Sequence, residues 1–196
     1  MPSWLVAALL CLPPAAQAQA DEARARKIVG GVCFLCHGTQ GESGSEVFPR
    51  LAGQHWEYTA KQLRQFKSGE RKSTAMAEMA ARLAEDEMVA LGRFFEKQAL
   101  PTVPAKDGAL AALGQYIYQQ GNRFSGVPAC AGCHGTDALG TAALPRLAGQ
   151  FAPYLENQLK QFHLRQRTND NAVMFSITEK MTALEMAGVA EYLSGR

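Results

Sequence analysis

Two stretches decide how this chain reads: Cys33-Phe34-Leu35-Cys36-His37-Gly38 and, 97 positions later, Cys130-Ala131-Gly132-Cys133-His134-Gly135. Two thiols separated by two residues, with an imidazole directly after them, allow three chemistries. A four-thiolate zinc site would use both pairs, but zinc ribbons usually hold their pairs closer and need no histidine after each. A thioredoxin-like redox pair sits in a βαβ setting, and no alternating strand pattern occurs here. Covalent attachment of a c-type haem uses every residue. The two thiols of each motif add across the two vinyl groups, and the histidine lies under the iron as a ligand. Cys33, Cys36, Cys130 and Cys133 are therefore the expected attachment points for two haem c groups, with His37 and His134 as axial iron ligands.

The likeness between the two stretches spreads outward. Pro49-Arg-Leu-Ala-Gly-Gln54 recurs as Pro145-Arg-Leu-Ala-Gly-Gln150. Tyr58 then pairs with Tyr154, Gln62-Leu63 with Gln158-Leu159, Phe66 with Phe162 and Arg71 with Arg167. Further on, Met76 pairs with Met174 and Met88 with Met186. The register drifts by one or two residues between these blocks, as expected of loops. This is a duplicated unit, not a solenoid. The expected division is a leader at 1–20, an N-terminal domain at 21–100, a linker at 101–104 and a C-terminal domain at 105–196. Pro101 and Pro104 stop the preceding helix and stiffen the connection.

The leader reading rests on residues 1–20, which carry no charged side chain. Trp4 to Leu12 is apolar and Ala18-Gln19-Ala20 is a small-x-small cleavage pattern, which predicts export to the periplasm. The apolar run is too short to span a bilayer. Cys11 has Leu10 before it rather than a small residue, so a lipoprotein anchor is not expected.

Composition narrows the remaining classes. With 20 Lys plus Arg against 18 Asp plus Glu, the formal charge is +2, and no basic stripe marks a nucleic-acid binder. A hydrophobic content of 47% excludes general disorder. Apolar residues recur at helical spacing over 55–67 and 151–165, and helices are also predicted over 22–32, 107–120, 85–97 and 182–194. Each half is thus a small all-α unit of three main helices. Its core is thin enough to need a staple such as a large cofactor.

A closed haem iron needs a sixth ligand, and methionine is a favoured partner in c-type cytochromes. Met79 and Met181 have no counterpart in the other half. Met88 and Met186 are shared, but they sit among Leu91, Phe94, Val189 and Leu193 and read as core. Met76 and Met174 are shared and lie in stretches read as irregular, so they are the expected ligands, with Met79 the alternative in the first half. The carbonyls of Pro49 and Pro145 fall 12 and 11 residues after the histidines, placed to accept the free ring N–H of each. His55 and His163 read as ordinary satisfied or exposed histidines.

Together the two CxxCHG motifs, the two PRLAGQ segments, the Met76 and Met174 regions and Arg167-Thr-Asn-Asp170 resemble the dihaem class I cytochromes c, specifically the cytochrome c4 family. The likeness covers nearly all of residues 21–196. Arg71-Lys-Ser-Thr-Ala75 departs from it, being two residues shorter and lacking Asn-Asp. The resemblance implies two tandem cytochrome c domains with facing haems, in a periplasmic electron carrier with no catalytic residues. Its implied partners are transient redox proteins. Donors are quinol-oxidising complexes or dehydrogenases, the acceptor is a haem–copper terminal oxidase, and peripheral membrane association is compatible. Related chains serve as the cytochrome subunit of flavocytochrome sulfide dehydrogenases. A haem enzyme with one open iron is the more distant reading.

Overall fold

The computed structural model describes residues 14–100 and 103–196. Residues 1–13, with most of the expected leader, and Pro101-Thr102 of the expected linker lie outside that description.

Ten helices carry the described chain. In the N-terminal half they are α1 (Pro14–Ile28), α2 (Phe34–His37), α3 (Trp56–Ser68), α4 (Thr74–Ala81) and α5 (Glu85–Glu96). The C-terminal half has α6 (Gly108–Gln120), α7 (Ala131–His134), α8 (Ala152–His163), α9 (Val173–Thr178) and α10 (Ala183–Ser194). Among the described residues the only β pairing is an isolated bridge between Asn122 and Val127. The all-α class follows.

Each half has its own apolar core. Ala25 and Val29 of α1 bury against Ala90, Leu91, Phe94 and Phe95 of α5. Ile117 and Tyr118 of α6 bury with Met186, Val189, Ala190 and Leu193 of α10. Met88 and Met186 are 2% and 3% exposed, as their place among core residues requires. Helix α6 crosses α10 at close range. A Cβ on Gly114 would lie 1.8 Å from the Gly188 carbonyl oxygen, so only glycine lets the two backbones approach this far.

Helix ends follow local chemistry. Glu85, Asp86 and Glu87 fill the first turn of α5, where the dipole favours carboxylates. Thr182 and Glu185 form a capping box that starts α10. The stretches around Met76 and Met174, read as irregular, are short helices instead. Ser73 Oγ accepts from the Met76 N–H to cap α4, whose body Thr74–Ala81 is alanine-rich. Asp170 Oδ2 accepts from the Met174 N–H at the start of α9.

The two halves approach their cysteines differently. In the N-terminal half, α1 runs through one π turn, Val29–Cys33, directly into α2. In the C-terminal half, α6 stops at Gly121, whose φ of 72° ends the helix and where a Cβ would meet the Val127 carbonyl oxygen at 2.3 Å. Ala25 and Gly114 hold equivalent places against the closing helices, 89 positions apart, whereas the cysteines are 97 apart. Eight additional residues therefore precede Cys130. Sequence register alone had accounted for shifts of only one or two.

Candidate functional site

Both CxxCH motifs lie on one short helical turn, α2 or α7, which gathers two thiols and an imidazole at one point. His37 and His134 are each 8% exposed. His37 Nδ1 lies 2.9 Å from the Pro49 carbonyl oxygen, and His134 Nδ1 lies 3.3 Å from that of Pro145. Each ring therefore donates through Nδ1 and keeps Nε2 free as a ligand nitrogen. Burial lowers the pKa of both imidazoles, partly offset by the proline carbonyls, which favours the neutral, ligating form.

None of the four motif cysteines is in a disulfide, which leaves each sulfur for a thioether bond to haem. Burial raises the Cys33 pKa, and it raises that of Cys130 to about 11. Met76 and Met174 are half-buried, as is Met79, while Met181 belongs to the C-terminal core. His163 Nδ1 pairs with the Thr178 carbonyl at 2.8 Å, a satisfied histidine. His55 is more than an ordinary surface group: its Nε2 meets the Leu139 carbonyl of the other half at 2.8 Å.

The surface between the halves is built by the repeated residues themselves. Gln54 Nε2 donates to the Arg146 carbonyl and its Oε1 accepts from the Arg146 N–H, both at 2.9 Å. Gln150 does the same to the Arg50 backbone, again at 2.9 Å in each direction. Each PRLAGQ segment thus ends on a glutamine that pairs with the arginine backbone of the other segment. Next to this, Arg71 Nη2 donates to Tyr154 Oη and Gln158 Oε1, both at 3.0 Å. Reciprocally, Arg167 Nη2 donates to Tyr58 Oη at 3.0 Å and Gln62 Oε1 at 3.3 Å. The contact is a pseudo-two-fold one, and duplication explains it: a self-complementary patch meets its own copy.

These interface residues were not recognised from sequence. Helical spacing puts Tyr58 and Tyr154 on the same face as Leu63, Phe66, Leu159 and Phe162, and in the structure their hydroxyls take guanidinium donors from the opposite half. A signal existed: glutamines and arginines repeated at matched positions have no reason to recur on a merely solvated face. Burial alone would raise the Tyr58 pKa, but Arg167 and Arg71 outweigh it and hold the phenol below its ordinary value.

The donor set fits two haem c groups. Thiols, ligand imidazoles and methionines recur once per half. The interface also carries cations in surplus. Among the described residues, Arg50, Arg71, Arg146 and Arg167 form no ion pair. Arg50 Nε is buried without a hydrogen-bond acceptor. A porphyrin bearing two carboxylates per haem answers that surplus.

Fold and donor set together define a dihaem c-type cytochrome of two tandem cytochrome c units. Residues 111–196 match the family model described as cytochrome c, and residues 20–95 match that of cytochrome c oxidase, cbb3-type, subunit III. The chain is 40% identical to cytochrome c4 of Thiocapsa roseopersicina over 188 residues, covering 93% of this chain and 94% of the relative. It superposes on the crystal structure of reduced recombinant cytochrome c4 from Pseudomonas stutzeri with a TM-score of 0.83 and 32% identity, covering 91% and 97% of the two chains. A protein named thiosulfate dehydrogenase electron acceptor, from Thiomonas intermedia (strain K12), is 35% identical over 84% of this chain and 78% of its own length. The chain belongs to the cytochrome c4 family: it is a dihaem electron-transfer cytochrome with two covalently bound haem c groups.

Proposed function

We propose that this protein is a periplasmic carrier that relays single electrons between respiratory redox proteins through two closed haem sites. The observation that carries this reading is the duplicated CxxCH turn with each histidine Nδ1 held by a proline carbonyl. Cys33 and Cys36 would hold one haem and Cys130 and Cys133 the other, with His37 and Met76, and His134 and Met174, supplying a nitrogen and a sulfur to each iron. Each bound haem supplies a one-electron ferric–ferrous couple. The chain does the rest. The Pro49 and Pro145 carbonyls fix the tautomer and orientation of the imidazoles, and the methionines would leave each iron no open position for a substrate. The reciprocal glutamine and arginine contacts hold the two units at one mutual orientation, so exchange between them needs no rearrangement. Export by the segment at 1–20, with domains at 21–100 and 105–196, completes the proposal. Donors are a quinol-oxidising complex or a dehydrogenase, and a haem–copper oxidase is the acceptor.

A second reading, service as the dedicated cytochrome partner of a dehydrogenase, draws support from the similarity to proteins named thiosulfate dehydrogenase electron acceptors. Copurification with a dehydrogenase at fixed stoichiometry would favour it over the free carrier.

The test is a spectroelectrochemical titration of the holo-protein with haem quantitation. Two haems per chain, both showing the far-red methionine–iron band, are expected. Met174→Ala should keep both haems covalently attached while losing one band and lowering one potential. An unchanged potential would overturn the Met174 assignment, and carbon monoxide binding to a native ferrous haem would overturn the closed-site reading.

A further inference from the structure

Arg167 and Met174 are separated by two more residues than Arg71 and Met76, and the longer segment carries Asn169 and Asp170. Asn169 is 5% exposed, although it belongs to the connection between α8 and α9. Its Nδ2 donates to Gln65 Oε1 at 2.6 Å and to Gln62 Oε1 at 3.0 Å, both on α3 of the N-terminal half. Its Oδ1 accepts from Arg167 Nε at 2.9 Å. Gln62 and Gln65 are themselves buried. The Glu70 carboxylate accepts from Gln65 Nε2 at 2.8 Å, which fixes the amide with its oxygen toward Asn169.

The next residue carries these contacts on to Met174. Asp170 Oδ2 accepts from the Met174 N–H, and the Asp170 carbonyl accepts from the Val173 N–H at 3.3 Å. Asp170 Oδ1 is buried without a hydrogen-bond partner among the described residues. Asn171 and Ala172, which follow, have φ of 56° and 63°. Asparagine tolerates this left-handed region, but for alanine it is disfavoured. A backbone held there persists only when the surrounding structure over-determines it. Asp170 ties the turn to α9, and Asn169 ties it to the other half. The Met76 N–H is capped differently, by Ser73 Oγ of its own half at 3.3 Å.

We propose that Gln62 and Gln65 of the N-terminal half are positioning residues for Met174: through Asn169 and Asp170 they hold the strained turn that presents its sulfur to the C-terminal iron. The assignment rests on Met174 as the axial ligand proposed above. It makes the sixth ligand of one haem depend on the packing of the other domain. Buried amide-to-amide bonds suit this use. They are directional and uncharged, and removing one partner leaves a costly unpaired group.

The experiment follows displacement of Met174 by imidazole in the ferric holo-protein, in which a nitrogen–iron bond replaces the sulfur–iron bond with no change of oxidation state. A Met76→Ala/Met79→Ala background removes both first-half candidates, so the far-red methionine–iron band reports Met174. Gln65→Ala and Asn169→Ala should each raise the displacement rate about tenfold, the effect of one lost buried hydrogen bond. The double variant should exceed the faster single by less than about twofold, because both break one path. Gln150→Ala severs the pairing with the Arg50 backbone and leaves Asn169 in place. It should change the rate less than about twofold. Global unfolding is measured on the same samples by circular dichroism, and Gln65→Met, which keeps the side-chain length, serves where Gln65→Ala does not fold. An unchanged rate in the Gln65 variants would overturn the proposal. So would equal acceleration by Gln150→Ala, which would reduce the effect to a looser interface, or acceleration that only tracks global stability. A band that survives Met174→Ala in this background would instead overturn the ligand assignment on which the proposal stands.

Discussion

The two halves of this cytochrome solve one packing problem by different routes. In the N-terminal half α1 delivers Cys33 through a single π turn, with no intervening loop. In the C-terminal half α6 ends at Gly121, and the inserted loop returns to the core through Val127 before Cys130. The haem-binding turn, the proline carbonyl and the interface glutamine are common to both. The difference teaches that duplication preserved the CxxCH turns, the proline carbonyls and the contacts between the halves, while the chain leading into each turn was free to diverge.

The largest test of that equivalence is loss of one attachment site. Cys130→Ala/Cys133→Ala should leave one covalent haem per chain, measured as pyridine haemochrome, with the N-terminal haem retained. Two covalent haems in that variant would break the equivalence of the motifs.

Next comes the helix crossing. Gly114→Ala should destabilise the C-terminal half by about 2–3 kcal/mol in denaturant unfolding, because the added methyl meets the Gly188 backbone. The reciprocal change, Ala25→Gly, should cost only about 1 kcal/mol, since that crossing already holds a Cβ. Similar costs at both positions would refute the difference in crossing distance.

The interface arginines should differ as well. Arg167→Ala removes donors from Tyr58, Gln62, Gln158 and Asn169, and Arg167 is buried. We expect a loss of about 2–4 kcal/mol. Arg71→Ala should cost less, because its bonds to Gln62, Tyr154 and Gln158 lack the asparagine brace that Asn169 gives the other arginine. Both variants should loosen the mutual orientation of the units, visible as a larger radius of gyration in small-angle scattering.

The smallest effect is on acid stability. Burial would raise the Glu185 pKa, but the Asn122 and Thr182 bonds outweigh it and hold the pKa below 4.5. Its contribution is therefore complete above about pH 4.5 and lost as pH falls through the lower folded value. Glu185→Gln should flatten the acid limb of the stability curve, and an unchanged limb would remove Glu185 from it.

Much of this was legible before any coordinates. The CxxCH turns and the helical class are local: spacing along a few residues determines what the thiols and imidazole can reach, and apolar periodicity marks which face is buried. The duplication is a property of the string itself. Helices α4 and α9 were missed because they are only eight and six residues long, too short for periodicity to register, and their caps decide them. The eight-residue insertion was hidden because the cysteines kept their pairing while the helix core shifted beneath them.

By itself, then, the sequence determined the class of cofactor chemistry, its two-fold repetition and an all-α fold, because each is written in spacings of a few residues or in direct self-similarity. Only the tertiary structure decided that Gln54 and Gln150 bind each other's segments and that Tyr58 faces Arg167. Those outcomes bring together residues about a hundred positions apart, and pairing across such a distance depends on how whole helices pack, which no local pattern encodes.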